Sequence, residues 1–188
     1  VYTDVVQLGL KMAKREPNAK GDGDQLRAQL VAAASDLLLT TQSIALPSLR
    51  AVARACSVSP AAVYLHFDSQ RALVNAVIQA QLHALREQIT AAIAGVGPNE
   101  VGGAFAAAYV SWGLEHPGAY QLLFESRDLL GLHHDEHDEG WDLLEDAAKM
   151  LAQVEGVDEV EAHVLAVRIW SSLHGIVSLR LHKPDNPW

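Results

Sequence analysis

One cysteine in 188 residues excludes an intramolecular disulfide. Cys56 suits a reducing interior, and its place beside a turn reads first as a small buried side chain, with a redox sensor as the less favoured alternative. Repeats and low-complexity segments are missing. So is any apolar run approaching the ~20 residues that cross a bilayer. The opening VYTDVVQLGLKMAKREP is interrupted by charge, so no signal peptide is read and a cytoplasmic protein with no membrane partner is expected. Gly-x-Ser-x-Gly, a phosphate-cradling glycine loop and His-Glu-x-x-His are all lacking. The carboxylates sit on polar faces, where solvation explains them. Neither an enzyme nor a cofactor is expected, and no catalytic residue is assigned.

Basic charge is also scarce: 14 Lys and Arg face 23 Asp and Glu, a net charge of −9. That balance argues against a nucleic-acid binder until its distribution is considered. Residues 1–71 hold eight basic against six acidic side chains, and residues 72–188 hold six against seventeen. A modestly basic head on an acidic body can still meet phosphates locally. Apolar residues make up 49% of the chain, enough for a substantial core.

The organising stretch is LPSLRAVARACSVSPAAVYLHF, from Leu46 to Phe67. Leu49, Val52 and Ala53 recur at helical spacing. Ser59 followed by Pro60 reads as a cap with proline at the first helical position, where its missing N–H costs nothing. Val63 and Phe67 give this second helix a buried edge, while Tyr64 and His66 fall off it. Two short helices, a tight turn and a polar outer edge are what a helix-turn-helix needs to seat its second helix in a major groove.

With RAQLVAAASDLL (Arg27 to Leu38) ahead of it and a long apolar run after Asp68, this stretch resembles the N-terminal domain of TetR-family transcriptional repressors. The resemblance spans roughly Asp24 to Leu82, and it implies that Tyr64 and His66 bind phosphates. Arg50 has the fork geometry for guanine, and Arg27 could clamp a flanking phosphate. Ser48, Ser59, Pro60, Ala61 and Gln70 complete the candidate DNA-binding set. Pro60, Ala61 and Ala62 can offer only apolar contact, for example with thymine methyls, or close approach. Three features depart from the family: Ser57 replaces the turn glycine, which strains the turn or changes its geometry; Gln70 replaces a lysine, with Arg71 as a neighbouring substitute; and the leading turn is poor in hydrogen-bonding side chains.

The expected fold is all-α with about nine helices. Residues 1–23 form an N-terminal extension, a mobile tail or an arm reaching DNA. Residues 24–70 form the helix-turn-helix domain, and residues 71–188 a ligand-binding and dimerisation domain. Helix one runs from Asp24 to about Thr40 on a stripe of Leu26, Leu30, Ala33 and Leu37. A long helix follows the Asp68-Ser69 cap, from Leu73 to Ile93. Helices over the Phe105–Trp112 region and from Ala119 to Phe124 come next. The stretch from Ser126 to about Gly140 is polar and reads as a loop. Within it, His133, His134 and His137 sit among carboxylates; a solvated acidic loop is preferred to a metal site, and no metal ligand is assigned.

The last two helices each show two apolar faces. A surface helix needs only one, so a second surface must be covered, and a four-helix bundle about a two-fold axis is the simplest cover. A helix buried within one domain is the alternative. Leu144, Ala148, Leu151, Leu165, Ile169, Leu173 and Ile176 are the candidate dimer contacts. Tyr109, Trp112, Tyr120, Phe124, Trp170 and His174 recur at three- and four-residue spacing and could line an effector pocket or simply pack a core. Trp170 to Gly175, WSSLHG, resembles the Trp-His-Gly signature of one subgroup of the family's C-terminal domains. A ligand-responsive dimeric repressor of a palindromic operator is the expected function. A ligand- or metal-binding helical scaffold with a decayed DNA-binding head is the alternative.

Overall fold

A computed structural model describes residues 22–39, 46–126 and 139–187. The expectations for the N-terminal arm through residue 21 and for the histidine-rich stretch around His133, His134 and His137 lie outside the described residues. Within the described residues the protein is all-α: eight α-helices, one 3-10 turn and no strand.

The first three helices form as their local chemistry dictates. α1 is Asp22–Leu39, and its fully buried edge is Leu30, Ala34 and Leu38. The expected stripe was rotated by one position: Ala33 and Leu37 are only partly buried. α2, Leu49–Ala55, starts at Ser48, whose side chain accepts the Ala51 N–H at 3.2 Å. α3, Pro60–Tyr64, starts at Ser59, which accepts the Ala62 N–H at 3.2 Å, and Pro60 takes the first helical position. Between them Ser57 adopts φ +54°, the left-handed conformation that glycine takes without cost. Ala53, Val63 and Phe67 are buried where the helices cross.

α4, Gln70–Ile93, is capped by Ser69 and buries Leu73, Val74, Val77, Ile78, Leu82, Leu85 and Ile89 along its length. Gly95, at φ +81°, turns the chain away, and a 3-10 turn, Pro98–Glu100, leads into α5, Val101–Glu115. α6 is Pro117–Phe124, and α7 is Glu139–Glu155. Gly156, at φ +66°, follows α7. Asp158 then caps α8, Glu159–His182, accepting the Glu161 N–H at 2.9 Å.

One continuous core joins the head to the body. It runs from Leu30, Val52, Val63 and Phe67 through α4 to Tyr109, Trp112, Tyr120 and Leu122, then to Leu173 and Val177 on α8. A smaller cluster of Leu144, Ala148 and Ala166 holds α7 to α8. Two glycines permit the closest approaches. A Cβ on Gly113 would lie 2.7 Å from Val177 Cγ1 and 3.0 Å from the Tyr120 ring. A Cβ on Gly118 would lie 2.8 Å from the Leu39 carbonyl oxygen, so the start of α6 rests directly on the end of α1.

One sequence expectation needs correction. By length and composition α8 is apolar enough to cross a membrane. It nevertheless carries Glu159, Glu161, Arg168 and Arg180, and it packs on α5 and α7. Its apolar side chains point both into the core and outwards, which is why its composition is so hydrophobic.

Candidate DNA-reading head and effector site

The head presents one face of α3 to solvent. Pro60, Ala61, Tyr64 and Leu65 fall at i, i+1, i+4 and i+5, the spacing of a single helical face, and all are exposed. Tyr64 is 57% exposed and Leu65 84%. Val63 and Phe67 are buried on the opposite side. Leu65 escaped the sequence reading. The signal is its spacing, since Leu65 lies four residues after Ala61.

The other head residues are placed as follows. Arg50 is exposed on α2, as are Arg54 beside the turn and Arg71 at the start of α4. Arg27 is exposed on α1 and sets its guanidinium over the Phe67 ring, 5.1 Å from the ring centre. This cation–π contact fixes the side chain near the end of α3 without neutralising its charge. His66 is half-buried, its ring facing the start of α1 at Gly23. Ser48 and Ser59 are exposed and serve as helix caps. Gln70 turns inward: its amide nitrogen donates to the Leu46 carbonyl at 2.7 Å and the Pro47 carbonyl at 3.1 Å. It therefore fastens the chain leading into α2 to the start of α4. Cys56 is half-buried, its thiol 3.6 Å from the Gln29 carbonyl oxygen, and burial pushes that thiol up, away from the reactive thiolate.

In the body, five of the six aromatic candidates meet. Phe124 lies against Tyr109, Tyr120, Trp170 and His174, with ring centres 5.0 to 6.4 Å apart. His174 stacks between Trp170 and Tyr120, each at 5.4 Å. Trp112 is buried beside this group and stacks instead on His116 at 5.3 Å. The polar groups inside are few. Tyr120 Oη contacts His174 Nδ1 and lies 3.1 Å from the His174 carbonyl oxygen. One phenolic proton can serve only one of them. When it donates to the carbonyl, Nδ1–H donates to the hydroxyl oxygen. Burial holds His174 below the ordinary histidine range, with the Glu125 charge opposing, so the neutral imidazole is favoured. The Tyr109 hydroxyl is buried and makes no hydrogen bond of ordinary geometry among the described residues, and burial pushes its phenol up to about 12, with Tyr120 and Trp170 beside it opposing the rise.

α6 is anchored at both ends. Its start sits on Leu39 through Gly118. At its far end Glu125 accepts from Ser178 Oγ at 2.8 Å and lies 3.4 Å from His182 Nε2. α6 also packs on α4 and α5. A helix that carries Tyr120 and Phe124 is thus in direct contact with the head.

Of the seven candidate dimer contacts, Leu144, Ala148 and Leu173 are buried within the single chain. Leu151 and Ile169 are partly buried against the two clusters, and Leu165 is half-buried. Ile176 is exposed, together with Val160, Val164 and Leu179 on the same helix.

Comparison with known proteins agrees with this arrangement. The family profile for bacterial regulatory proteins of the TetR family matches residues 30–77. The profile for tetracyclin repressor-like C-terminal domains matches residues 103–185, which include the WSSLHG run. No curated protein matches the sequence. Among solved structures, a protein of unknown function from Rhodococcus sp. RHA1 is 24% identical, with 92% of this chain and 91% of that one covered and a TM-score of 0.70. NalD, the secondary repressor of the MexAB-OprM multidrug efflux pump in Pseudomonas aeruginosa, is 20% identical over 88% of each chain, with a TM-score of 0.57. A TetR variant from Acinetobacter baumannii AYE in complex with minocycline is 19% identical over 84% of this chain and 82% of that one, with a TM-score of 0.57. At these identities the structural likeness speaks for the fold.

Proposed function

The chain belongs to the TetR family of bacterial regulatory proteins, and from that premise we propose that it is a cytoplasmic, non-enzymatic repressor. In this reading it binds a palindromic operator as a homodimer and leaves it when a mainly apolar small molecule enters the body. The observation that carries the reading is the outward face of α3, left open by the described residues on a head whose exposed cations are Arg27, Arg50, Arg54 and Arg71. Tyr64 and the arginines would hold phosphates, His66 would steady the end of α3 against α1, and Gln70 would position the chain entering α2. The exposed side chains of α8 would meet their counterparts in a second copy, placing two α3 helices ~34 Å apart on successive major grooves.

The effector would enter the aromatic group on α5, α6 and α8. The structural relative bound to minocycline is a precedent for a small molecule in such a body. Because α6 touches α1 through Gly118 and also packs on α4, a ligand that moves Tyr120 or Phe124 would shift both. A move from 1:99 to 99:1 in favour of the released form needs ~5.5 kcal/mol of differential affinity.

The test is a gel shift with the DNA upstream of the protein's own gene, titrated with salt. The reading predicts binding that falls steeply as salt rises, because phosphate contacts release counterions. Arg50→Ala combined with Tyr64→Phe should weaken it roughly ten-fold while helicity is unchanged. Unchanged binding by the double variant would overturn the site assignment.

A second reading is favoured by one observation: the outward face of α3 offers the Tyr64 hydroxyl and no cation. It makes the chain a ligand- or metal-binding scaffold with a decayed head. That scaffold would gain thermal stability from a small molecule and retain no duplex DNA.

A further inference from the structure

The outward face of α3 differs in chemistry from the surface around it. The side chains of Pro60, Ala61 and Leu65 offer no donor or acceptor there, and Leu65, 84% exposed, is the most exposed large apolar side chain among the described residues. It adjoins Tyr64, 57% exposed, so the two make a patch rather than isolated apolar side chains. Four exposed arginines lie elsewhere on the head, Arg27 on α1, Arg50 and Arg54 on α2 and Arg71 on α4, with Asp68 exposed between α3 and α4. An apolar helix face on a head that carries these cations suits a polyanion whose groove floor carries apolar groups.

The geometry points to Leu65 and Ala61 as readers of thymine methyl groups in the operator's major groove. Thymine alone among the four bases presents an apolar group on the major-groove edge, its C5 methyl. A guanine or cytosine edge pressed against leucine, alanine and proline would lose water from its donors and acceptors and find no partner for them, which costs more than an unmade contact. The apolar face therefore selects thymine by attraction and disfavours G·C pairs by desolvation. This inference rests on the reading of the head as a DNA binder and adds the base chemistry it recognises.

The experiment starts from a pool of random-sequence duplexes passed over the full-length protein. Enriched duplexes are then resynthesised with deoxyuridine in place of single thymidines, which removes one methyl and changes nothing else on the base edge. Wild-type protein should enrich half-sites sharing a thymine at a fixed position. It should lose about four-fold in affinity for each contacted methyl removed. Leu65→Ala, at a surface position, should keep its fold, bind the thymine duplex more weakly, and no longer distinguish uracil from thymine there. Leu65→Gln should enrich a different base at that position.

If uracil binds as well as thymine, or if duplexes are retained without any enrichment, this inference falls while the head remains a DNA binder. If no duplex is retained at any salt concentration, the reading beneath it falls too. If Leu65→Ala dissociates an oligomer and leaves base preference intact, the patch belongs to a second copy of the chain, and the thymine assignment is overturned.

Discussion

Two helices of this protein leave apolar side chains in water, and their surroundings differ. On the outward face of α3, Pro60, Ala61, Tyr64 and Leu65 belong to a head whose exposed charges are Arg27, Arg50, Arg54 and Arg71 with Asp24, Asp36 and Asp68. On α8, Val160, Val164, Ile176 and Leu179 lie along a helix that carries Glu159, Glu161, Arg168 and Arg180 and packs against the acid-rich α7, with Asp142, Glu145 and Asp146. The exposed apolar area alone does not distinguish the two surfaces; the charge around it does. A surface with more cations than carboxylates suits phosphates, whereas an acidic one repels them and suits another protein surface. α8 spreads its exposed side chains over most of its length, as an interface between helices requires. The α3 patch is barely two helical turns long, the size of a groove contact.

The largest expected effect breaks the α8 side of the comparison. Val164→Glu with Ile176→Glu should convert a dimer to a monomer in analytical ultracentrifugation. Loss of the linked second head should lower operator affinity roughly 100-fold, with far-UV circular dichroism unchanged. Salt dependence per head should persist, which would separate the two surfaces experimentally.

The joint between the regions comes next. Gly118→Ala places a methyl 2.8 Å from the backbone oxygen of Leu39, which cannot swing away as a side-chain tip would. A loss of about 1–3 kcal/mol in urea unfolding is expected. Separate head and body transitions would sharpen the comparison, because they would identify the α1–α6 seat as what makes the two unfold together.

Smaller effects test each side by itself. Ser57→Gly relieves the left-handed strain at φ +54° in the head, and the added freedom of the unfolded chain offsets part of the gain. A stabilisation of about 0.5–1 kcal/mol should appear as a modest rise in Tm. In the body, His174 holds its proton less well folded than unfolded, because burial lowers its pKa. The unfolded state therefore binds more protons, so stability should fall as pH drops below about 6.5. His174→Gln should flatten that slope relative to the wild type in pH-dependent thermal melts.

What could be read from the sequence followed the range of the interaction. Ser59-Pro60 and the pairing of Val63 with Phe67 are written within a few residues, and both stand as read. The resemblance left Ser57 either strained or in another turn geometry, and its positive φ is the strained one. The aromatic positions in the body were visible as helical spacings, but their meeting depends on how three helices pack. Gln70 shows the limit: its inward bonds reach Leu46 and Pro47, more than twenty residues earlier, and no local pattern signals them. The seats at Gly113 and Gly118 are likewise set by partners on other helices. The dimer candidates illustrate a subtler difficulty. Two apolar faces were rightly seen on α8, but which face its own chain covers, as with Leu173, and which stays open, as with Val164, depends on how α7 and α5 lie against it.

The account depends on two copies of the chain, joined along α8, presenting two α3 helices to one duplex. Light scattering of the protein on an enriched duplex measures this directly. Two chains per duplex, falling to none for Val164→Glu with Ile176→Glu at the same concentration, is the predicted result. One chain per duplex, held as tightly by that variant as by the wild type, would contradict it.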